Sequence, residues 1–260
     1  MSAIAVAATA DALRGGGAGA VRVSGPDPVD RASAELRRAG IAGTLMVSDP
    51  RCARSRVELP ALRLTRLRGL PMCATLHSHP PPRGCRLGNA DLVAATVGTA
   101  GTVVAQACAP GLFRELRAAV HPRCDQLDVE SIAWPRPGRV AAVVRCGRNV
   151  EWAEDILFLL RRPHRTVWRR FPGADLWDLR TSPRGTLISV RSGGRLLVVD
   201  SRGRPTRLPA AARRGQAIAW SPDERWTAVA TGAEVIVFAT GDPRAPIHRL
   251  PLPSVDVAWR

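Results

Sequence analysis

The sequence contains no lysine and no tyrosine, and this narrows the chemistry that the chain can carry out. Without lysine, the lysine of a P-loop, a Schiff-base lysine and a Ser-Lys catalytic dyad are all excluded. The chain also lacks the Gly-x-Ser-x-Gly sequence of a nucleophile elbow, so no motif supports an α/β-hydrolase. It contains no Cys-x-x-Cys pair, so no motif supports a compact zinc site. These absences favour a protein that is not an enzyme, with no cofactor and no metal.

The chain is strongly basic, because it has 38 arginines but only 22 acidic residues. Its formal net charge is +16. The exclusive use of arginine, with much alanine, glycine and proline, suggests a GC-rich genome, which accounts for part of this surplus. A charge this far from neutral favours contact with phosphates, anionic lipid or acidic proteins. Nucleic-acid recognition usually adds stacking aromatics or a recognisable module. Neither is visible, so nucleic acid is disfavoured as a partner.

A Trp-Ser-Pro-Asp stretch is the most informative part of the chain. Residues 217–226 read AIAWSPDERW, a strand and a tight turn, and residues 227–230 begin a second strand. Weaker copies recur along the chain, with equivalent positions at Trp134, Thr181, Trp220 and Trp259. The steps between these positions are 47, 39 and 39 residues. Blade-type repeats have periods of about 40–50 residues, so the spacing indicates repetition rather than chance.

Each repeat contains four segments with the pattern of β-strands. The turn is followed by an apolar strand, a glycine-containing turn, a continuous apolar run such as residues 235–238 (VIVF), and a more polar strand ending in Leu-Pro. Short β-branched runs bounded by turns are typical of strands packed on both faces. Proline in the last strand suits an outer edge, where one side is unpaired. The pattern predicts an all-β protein built from four-stranded units.

The Trp-Ser-Pro-Asp turn followed by an apolar strand resembles the repeat of WD40-like and TolB-type β-propellers over residues 130–260. The resemblance implies a non-enzymatic binding platform, often extracytoplasmic in bacteria. The Trp-Asp dipeptide of WD40 blade ends occurs here at a blade start, as Trp177-Asp178.

We count five blades, with four or six left open, which begin near Gly43, Cys73, Val129, Asp175 and Gln216. The first blade lacks an opening strand, whereas residues 255–259 are an opening strand without a blade. We therefore expect the C-terminal strand to pair with the strand near Leu45 and to close the ring, which would hide both sheet edges.

The N-terminal residues 1–26 are predicted to be a flexible terminus, with residues 41–260 forming the propeller. The apolar stretch at residues 2–13 is shorter than the roughly 20 residues that span a bilayer and has no basic n-region. Two interpretations stay open, a disordered terminus and the remnant of a signal or anchor helix. Residues 27–40 predict a short helix, because Asp27 suits an N-cap, Pro28 the first turn and Gly40 the stop.

All six cysteines lie in the first 146 residues, at Cys52, Cys73, Cys85, Cys108, Cys124 and Cys146. An even number, widely spread, fits disulfides in an oxidising compartment. We expect Cys52–Cys73 first and Cys108–Cys124 second, because each pair flanks a predicted strand-return unit. The alternative is buried free thiols in a cytosolic protein.

A basic cluster is the candidate partner-binding site, and it comprises Arg161, Arg162, Arg165, Trp168, Arg169 and Arg170. The alternative is a solvated outer strand and turn. The first hypothesis for the chain is a monomeric, extracytoplasmic or membrane-anchored propeller that binds a protein. We expect contact with a membrane only through a missing N-terminal anchor. Two alternatives are a propeller hydrolase or lyase with a site at the channel mouth, and a cytoplasmic regulator that binds acidic partners or nucleic acid.

Overall fold

The computed structural model describes residues 27–67, 118, 126–136, 139–148, 151–161, 165–172 and 176–260. These residues contain the helix α1 (Pro28–Arg38), sixteen β-strands and a short 3-10 helix (Ala210–Ala212). The described part of the chain is therefore almost entirely β, as the sequence predicts. No helix within it is both long and apolar enough to cross a membrane.

The strands are short and follow one another closely along the chain. The first eight are β1 (Gly43–Ser48), β2 (Arg54–Leu59), β3 (Arg63–Arg66), β4 (Gln126–Arg136), β5 (Arg139–Arg148), β6 (Glu151–Arg161), β7 (Arg165–Pro172) and β8 (Leu176–Thr181). The second eight are β9 (Leu187–Ser192), β10 (Arg195–Asp200), β11 (Pro205–Thr206), β12 (Ala217–Trp220), β13 (Trp226–Ala230), β14 (Val235–Ala239), β15 (His248–Leu250) and β16 (Asp256–Trp259).

The described strands form four antiparallel sheets of four strands each. Sheet 1 has the order β16-β1-β2-β3, sheet 2 the order β4-β5-β6-β7, sheet 3 the order β8-β9-β10-β11 and sheet 4 the order β12-β13-β14-β15. Sheets 2, 3 and 4 correspond to the units predicted to begin near Val129, Asp175 and Gln216. The predicted unit near Cys73 lies almost wholly outside the described residues, so the number of blades stays a prediction.

Sheet 3 packs face to face against sheets 2 and 4, and sheet 4 also packs against sheet 1. Each of these three pairs shares an apolar core. Typical core residues are Leu157 with Ile188 between sheets 2 and 3, Val198 with Phe238 between sheets 3 and 4, and Val237 with Leu45 between sheets 4 and 1. Each such side chain contributes about 1.5–3 kcal/mol when it is fully buried. The first strands of the sheets also adjoin in succession, since β4 contacts β8, β8 contacts β12 and β12 contacts β16. This is a propeller-type arrangement with the first strands innermost.

Buried serines build the Ser-Pro turns between the first and second strands of a sheet. In sheet 4, the Ser221 hydroxyl accepts a hydrogen bond from the Trp226 amide at 3.0 Å and donates one to Asp223 at 2.6 Å. In sheet 3, the Ser182 hydroxyl accepts from the Leu187 amide at 3.0 Å. A small hydroxyl side chain can satisfy the turn amide where the strand ladder ends. The recurring Ser-Pro pair is therefore structural, as expected.

The C-terminal strand β16 pairs with β1, as predicted. Leu45 lies opposite Trp259 and Ser48 opposite Asp256 in an antiparallel register. Without this pairing, β1 would expose a row of unpaired amides and carbonyls. Closure of the whole ring also depends on the segment between sheets 1 and 2, most of which lies outside the described residues, so it stays a prediction.

Helix α1 has the predicted bounds and caps. The Asp27 carboxylate accepts a hydrogen bond from the Val29 amide at 2.9 Å, and Gly40 has a φ of +69° just beyond the last turn. Ala32 and Leu36 of the helix are buried in the core that sheets 1 and 4 share. The helix is therefore packed onto the propeller-type body.

The outermost strands differ from the sequence pattern. In sheet 1, β2 ends at Leu59, and β3 follows after Pro60 as a fourth strand that we did not predict. In sheet 3, the predicted last strand through Leu208-Pro209 is reduced to the two residues of β11. In sheet 1 the pairing ends at Leu59, directly before Pro60, because proline has no amide hydrogen to donate to a ladder.

We expect Gly43→Ala to destabilise the protein, because Gly43 has a φ of +126° and its added Cβ would lie 2.6 Å from Nε1 of the buried Trp259. Gly241→Ala is the matched control, since Gly241 also has a positive φ, of +82°, but open space around a Cβ. The first variant should lose about 1–3 kcal/mol more than the second in the free energy of unfolding by urea. Equal losses would show that the β1–β16 contact contributes nothing at this point.

Candidate functional site

A β-bulge interrupts the pairing of the innermost strand of sheet 3. Trp177 lies opposite Arg191, but the next pair is Arg180 opposite Ser189, so β8 carries one extra residue. Within the bulge Asp178 adopts a φ of +54°, a left-handed conformation that is uncommon for a residue with a side chain. Bulges redirect side chains and occur often near functional sites. The structure places five residues of interest here, the inner-strand cluster of Trp177, Asp178, Arg180, Arg191 and Asp256.

Arg180 is the centre of the inner-strand cluster, and only 8% of its surface is exposed. Its Nε donates to both carboxylate oxygens of Asp178, at 2.9 and 3.0 Å. One terminal nitrogen lies 2.7 Å from the Asp256 carboxylate, and the other donates to the Val257 carbonyl at 2.9 Å. A buried charge is tolerated only when it is paired and hydrogen-bonded in this way.

The contacts of Arg180 join sheet 3 to sheet 1, and these two sheets do not follow one another along the chain. Arg180 and Asp178 belong to β8 of sheet 3, whereas Asp256 and Val257 belong to β16 of sheet 1. Burial by itself lowers the pKa of the Arg180 guanidinium, but Asp178 and Asp256 outweigh it and raise that pKa above its ordinary value. Arg180 therefore stays protonated, and both carboxylates are held as acceptors.

Trp177 and Arg191 form the outer part of the inner-strand cluster. The guanidinium carbon of Arg191 lies 3.9 Å from the centroid of the Trp177 ring, a cation–π distance. Trp177 is 41% exposed. The pKa of Arg191 is lowered, chiefly by burial. The Arg180 charge also lowers it, and the Asp178 carboxylate partly offsets both by raising it. Arginine titrates far above neutral pH, so Arg191 remains a cation.

The inner-strand cluster is suited to binding rather than to proton transfer. The Asp178 and Asp256 carboxylates already accept hydrogen bonds from Arg180, so neither is poised as a general base. Among the residues that the structure describes, no group of His, Cys, Asp and Glu side chains could hold a metal ion. The cluster offers an exposed aromatic ring and a guanidinium, groups that are enriched in the centres of protein interfaces.

The sequence-predicted basic cluster falls on the β6–β7 hairpin of sheet 2. The backbone register places Arg161 opposite Arg165 beside the loop, and β7, which contains Trp168, Arg169 and Arg170, is the outermost strand of that sheet. Arg162 lies outside the described residues. The placement agrees with an outer strand, and the role of the cluster in binding stays a prediction.

Two of the cysteines lie in the described part of the chain, and both Cys52 and Cys146 are disulfide-bonded. The predicted pairs Cys52–Cys73 and Cys108–Cys124 depend on residues outside that part. Both pairings therefore stay predictions.

The inner-strand cluster was not predicted as a site, although one signal pointed to it. Trp220 and Trp259, which occupy equivalent repeat positions, are buried, whereas Trp177 is exposed. The displaced Trp177-Asp178 dipeptide was the visible signal, whereas Asp256 joins the cluster only through the pairing of β16 with β1.

The chain was also compared with known proteins. No protein-family model matches it, and no curated protein matches it. The β-propeller domain of Cps50 (Swd1) from Myceliophteria thermophila is similar at 10% identity and a TM-score of 0.35, over 82% of this chain and 57% of that one. Hsv2 from Kluyveromyces lactis is similar at 12% identity and a TM-score of 0.31, over 76% of this chain and 71% of that one.

Hydrazine synthase from Kuenenia stuttgartiensis is similar at 14% identity and a TM-score of 0.32, over 43% of this chain and 40% of that one. The chain thus spans less than two thirds of the length of the Cps50 domain and of hydrazine synthase. Likenesses this slight carry no argument. The propeller-type class is defined instead by the four-stranded antiparallel sheets, their shared cores and their adjoining first strands.

We expect Arg180→Gln to lower the free energy of unfolding by about 3–5 kcal/mol, because it removes the cation from two buried carboxylates. Arg204→Gln is the control, since Arg204 lies 2.7 Å from Asp200 in an exposed pair. That variant should lose no more than about 1 kcal/mol.

Urea unfolding of both variants at pH 7 measures these losses. A loss in Arg180→Gln no greater than that in Arg204→Gln would contradict the assigned charge network.

Proposed function

We propose that this chain is a non-enzymatic β-propeller scaffold that binds a protein partner at the mouth of its central channel. In this proposal the ring has about five blades and is closed by β16. The inner-strand cluster then lies where the innermost strands of sheets 1 and 3 begin, on the channel axis.

The observation that carries the proposal is the exposed Trp177, set on a bulge and supported from behind by a rigid charge network. An aromatic ring that is 41% exposed on an inner strand leaves a large apolar surface open to solvent. Large aromatic rings next to arginine are typical of the few residues that dominate binding energy. The Arg180 network holds the supporting backbone in place, so little ordering would be required on binding.

We place the protein outside the cytoplasm, either free or membrane-anchored. The support is the set of six cysteines, together with the disulfide-bonded state of Cys52 and Cys146. Disulfides persist in oxidising compartments and are rare in the cytosol.

Photo-crosslinking tests the binding face. Benzoylphenylalanine at position 177, introduced in cells of the source organism, should give a discrete adduct with one protein. The control is the same residue at position 64, since Leu64 is 52% exposed on the outer strand β3. Excess wild-type protein should suppress the adduct, and excess Trp177→Ala protein should not. The same adducts from both positions, or none from position 177, would refute this binding face.

Thiol titration tests the compartment. Protein isolated from its native cells without reductant and then denatured should expose no more than four of its six thiols, because Cys52 and Cys146 are bonded. Six free thiols would contradict an oxidising location and would favour the cytoplasm.

A further inference from the structure

Arg191 is a cation that forms no direct ion pair within the inner-strand cluster. Both oxygens of Asp178 accept from the Nε of Arg180, and Asp256 lies 2.7 Å from another nitrogen of the same arginine. Among the described residues, no carboxylate forms an ion pair with Arg191, and its buried Nε has no hydrogen-bond partner. The buried Nε is out of reach of a partner, but the terminal nitrogens of Arg191 are not buried, and the half-buried guanidinium can bind an anion through them.

Trp177 orients that guanidinium. With the Arg191 guanidinium carbon 3.9 Å from the ring centroid, the indole face occupies one side of the charged group. An arginine stacked on an aromatic ring loses little further freedom when it pairs with a carboxylate. The edge of the guanidinium then matches the two oxygens of a carboxylate in a bidentate pair.

We propose that Arg191, stacked on Trp177, binds the side-chain carboxylate of an aspartate or glutamate in an acidic segment of the partner. This inference rests on the proposed function, since it names the chemistry of the partner at the same face. It makes Arg191 the residue that selects the partner and Trp177 the residue that packs against it.

The charges around Arg191 favour an isolated carboxylate over a phosphate chain. Two cations, Arg180 and Arg191, are balanced in the inner-strand cluster by two anions, Asp178 and Asp256. A single carboxylate brings one negative charge to Arg191, whereas closely spaced phosphates would bring several and be repelled by the two aspartates. The net charge of +16 adds a general attraction that steers an acidic segment toward the protein.

Fluorescence anisotropy with a dye-labelled octaglutamate peptide tests the proposal, with octaglutamine as the neutral probe. At 150 mM salt as a working condition (about physiological), wild type should bind octaglutamate about tenfold more tightly than octaglutamine. Arg191→Gln should remove most of that preference and leave only the general charge attraction, whereas Arg191→Lys should keep more of it. Arg63→Gln, which removes the same charge from the exposed strand β3, should change the affinity by less than about twofold.

Several outcomes overturn the inference. An unchanged octaglutamate preference in Arg191→Gln would show that general charge attraction accounts for binding. Tighter, Arg191-dependent binding of an oligothymidylate of equal length would assign the site to phosphates. If Arg191→Gln does not fold, Trp177→Ala decides, because it keeps the cation and removes the stack, and an unchanged affinity in that variant refutes the proposal.

The failure of this inference can be told apart from failure of the proposed function. If Arg191→Gln leaves both the octaglutamate preference and the position 177 crosslink intact, the binding face stands and the carboxylate role is refuted. If benzoylphenylalanine at position 177 gives no crosslink in a protein that is otherwise wild type, the binding face itself is refuted.

Discussion

The antiparallel pairing of β16 with β1 is the contact on which the rest of the described structure depends. It joins the last strand of the chain to the first, with Leu45 opposite Trp259. Bringing residues this distant in sequence together has an entropic cost that grows only slowly with loop length. In return, β1 gains a partner for its open edge, and Trp259 and Val257 enter the core that sheets 1 and 4 share. The same pairing places Asp256 where Arg180 can reach it.

Arg180 then connects strand pairing to the surface chemistry. A buried guanidinium requires several acceptors, and here Asp178, Asp256 and the Val257 carbonyl supply them. The bulge at Asp178 permits this arrangement, although it adopts an uncommon backbone conformation. Because Arg180 uses both carboxylates, Arg191 is left with an aromatic neighbour as its close partner. The unusual features of β8 are thus linked, and they lie together at one end of the inner strands.

The sequence pattern predicted many of the strands correctly, because turns and apolar runs are local signals. The Ser-Pro turns at Ser182 and Ser221 form as expected, since a hydroxyl and a proline act within a few residues of their own position. The outer strands were predicted less well, and β3 was missed. An edge strand is held by one neighbour only, so its extent depends on what the rest of the sheet leaves unpaired.

The sequence by itself determined the four-stranded repeat, the all-β class, the capped helix and the partner of the C-terminal strand. These follow from periodicity and from the incomplete first and last units. Only the tertiary structure decided which charged residues act together. Arg180 and Arg191 do not stand out in a chain with 38 arginines, and Asp256 lies far from both in the sequence. Their meeting depends on a one-residue bulge and on the approach of two sheets, and neither leaves a periodic mark in the sequence.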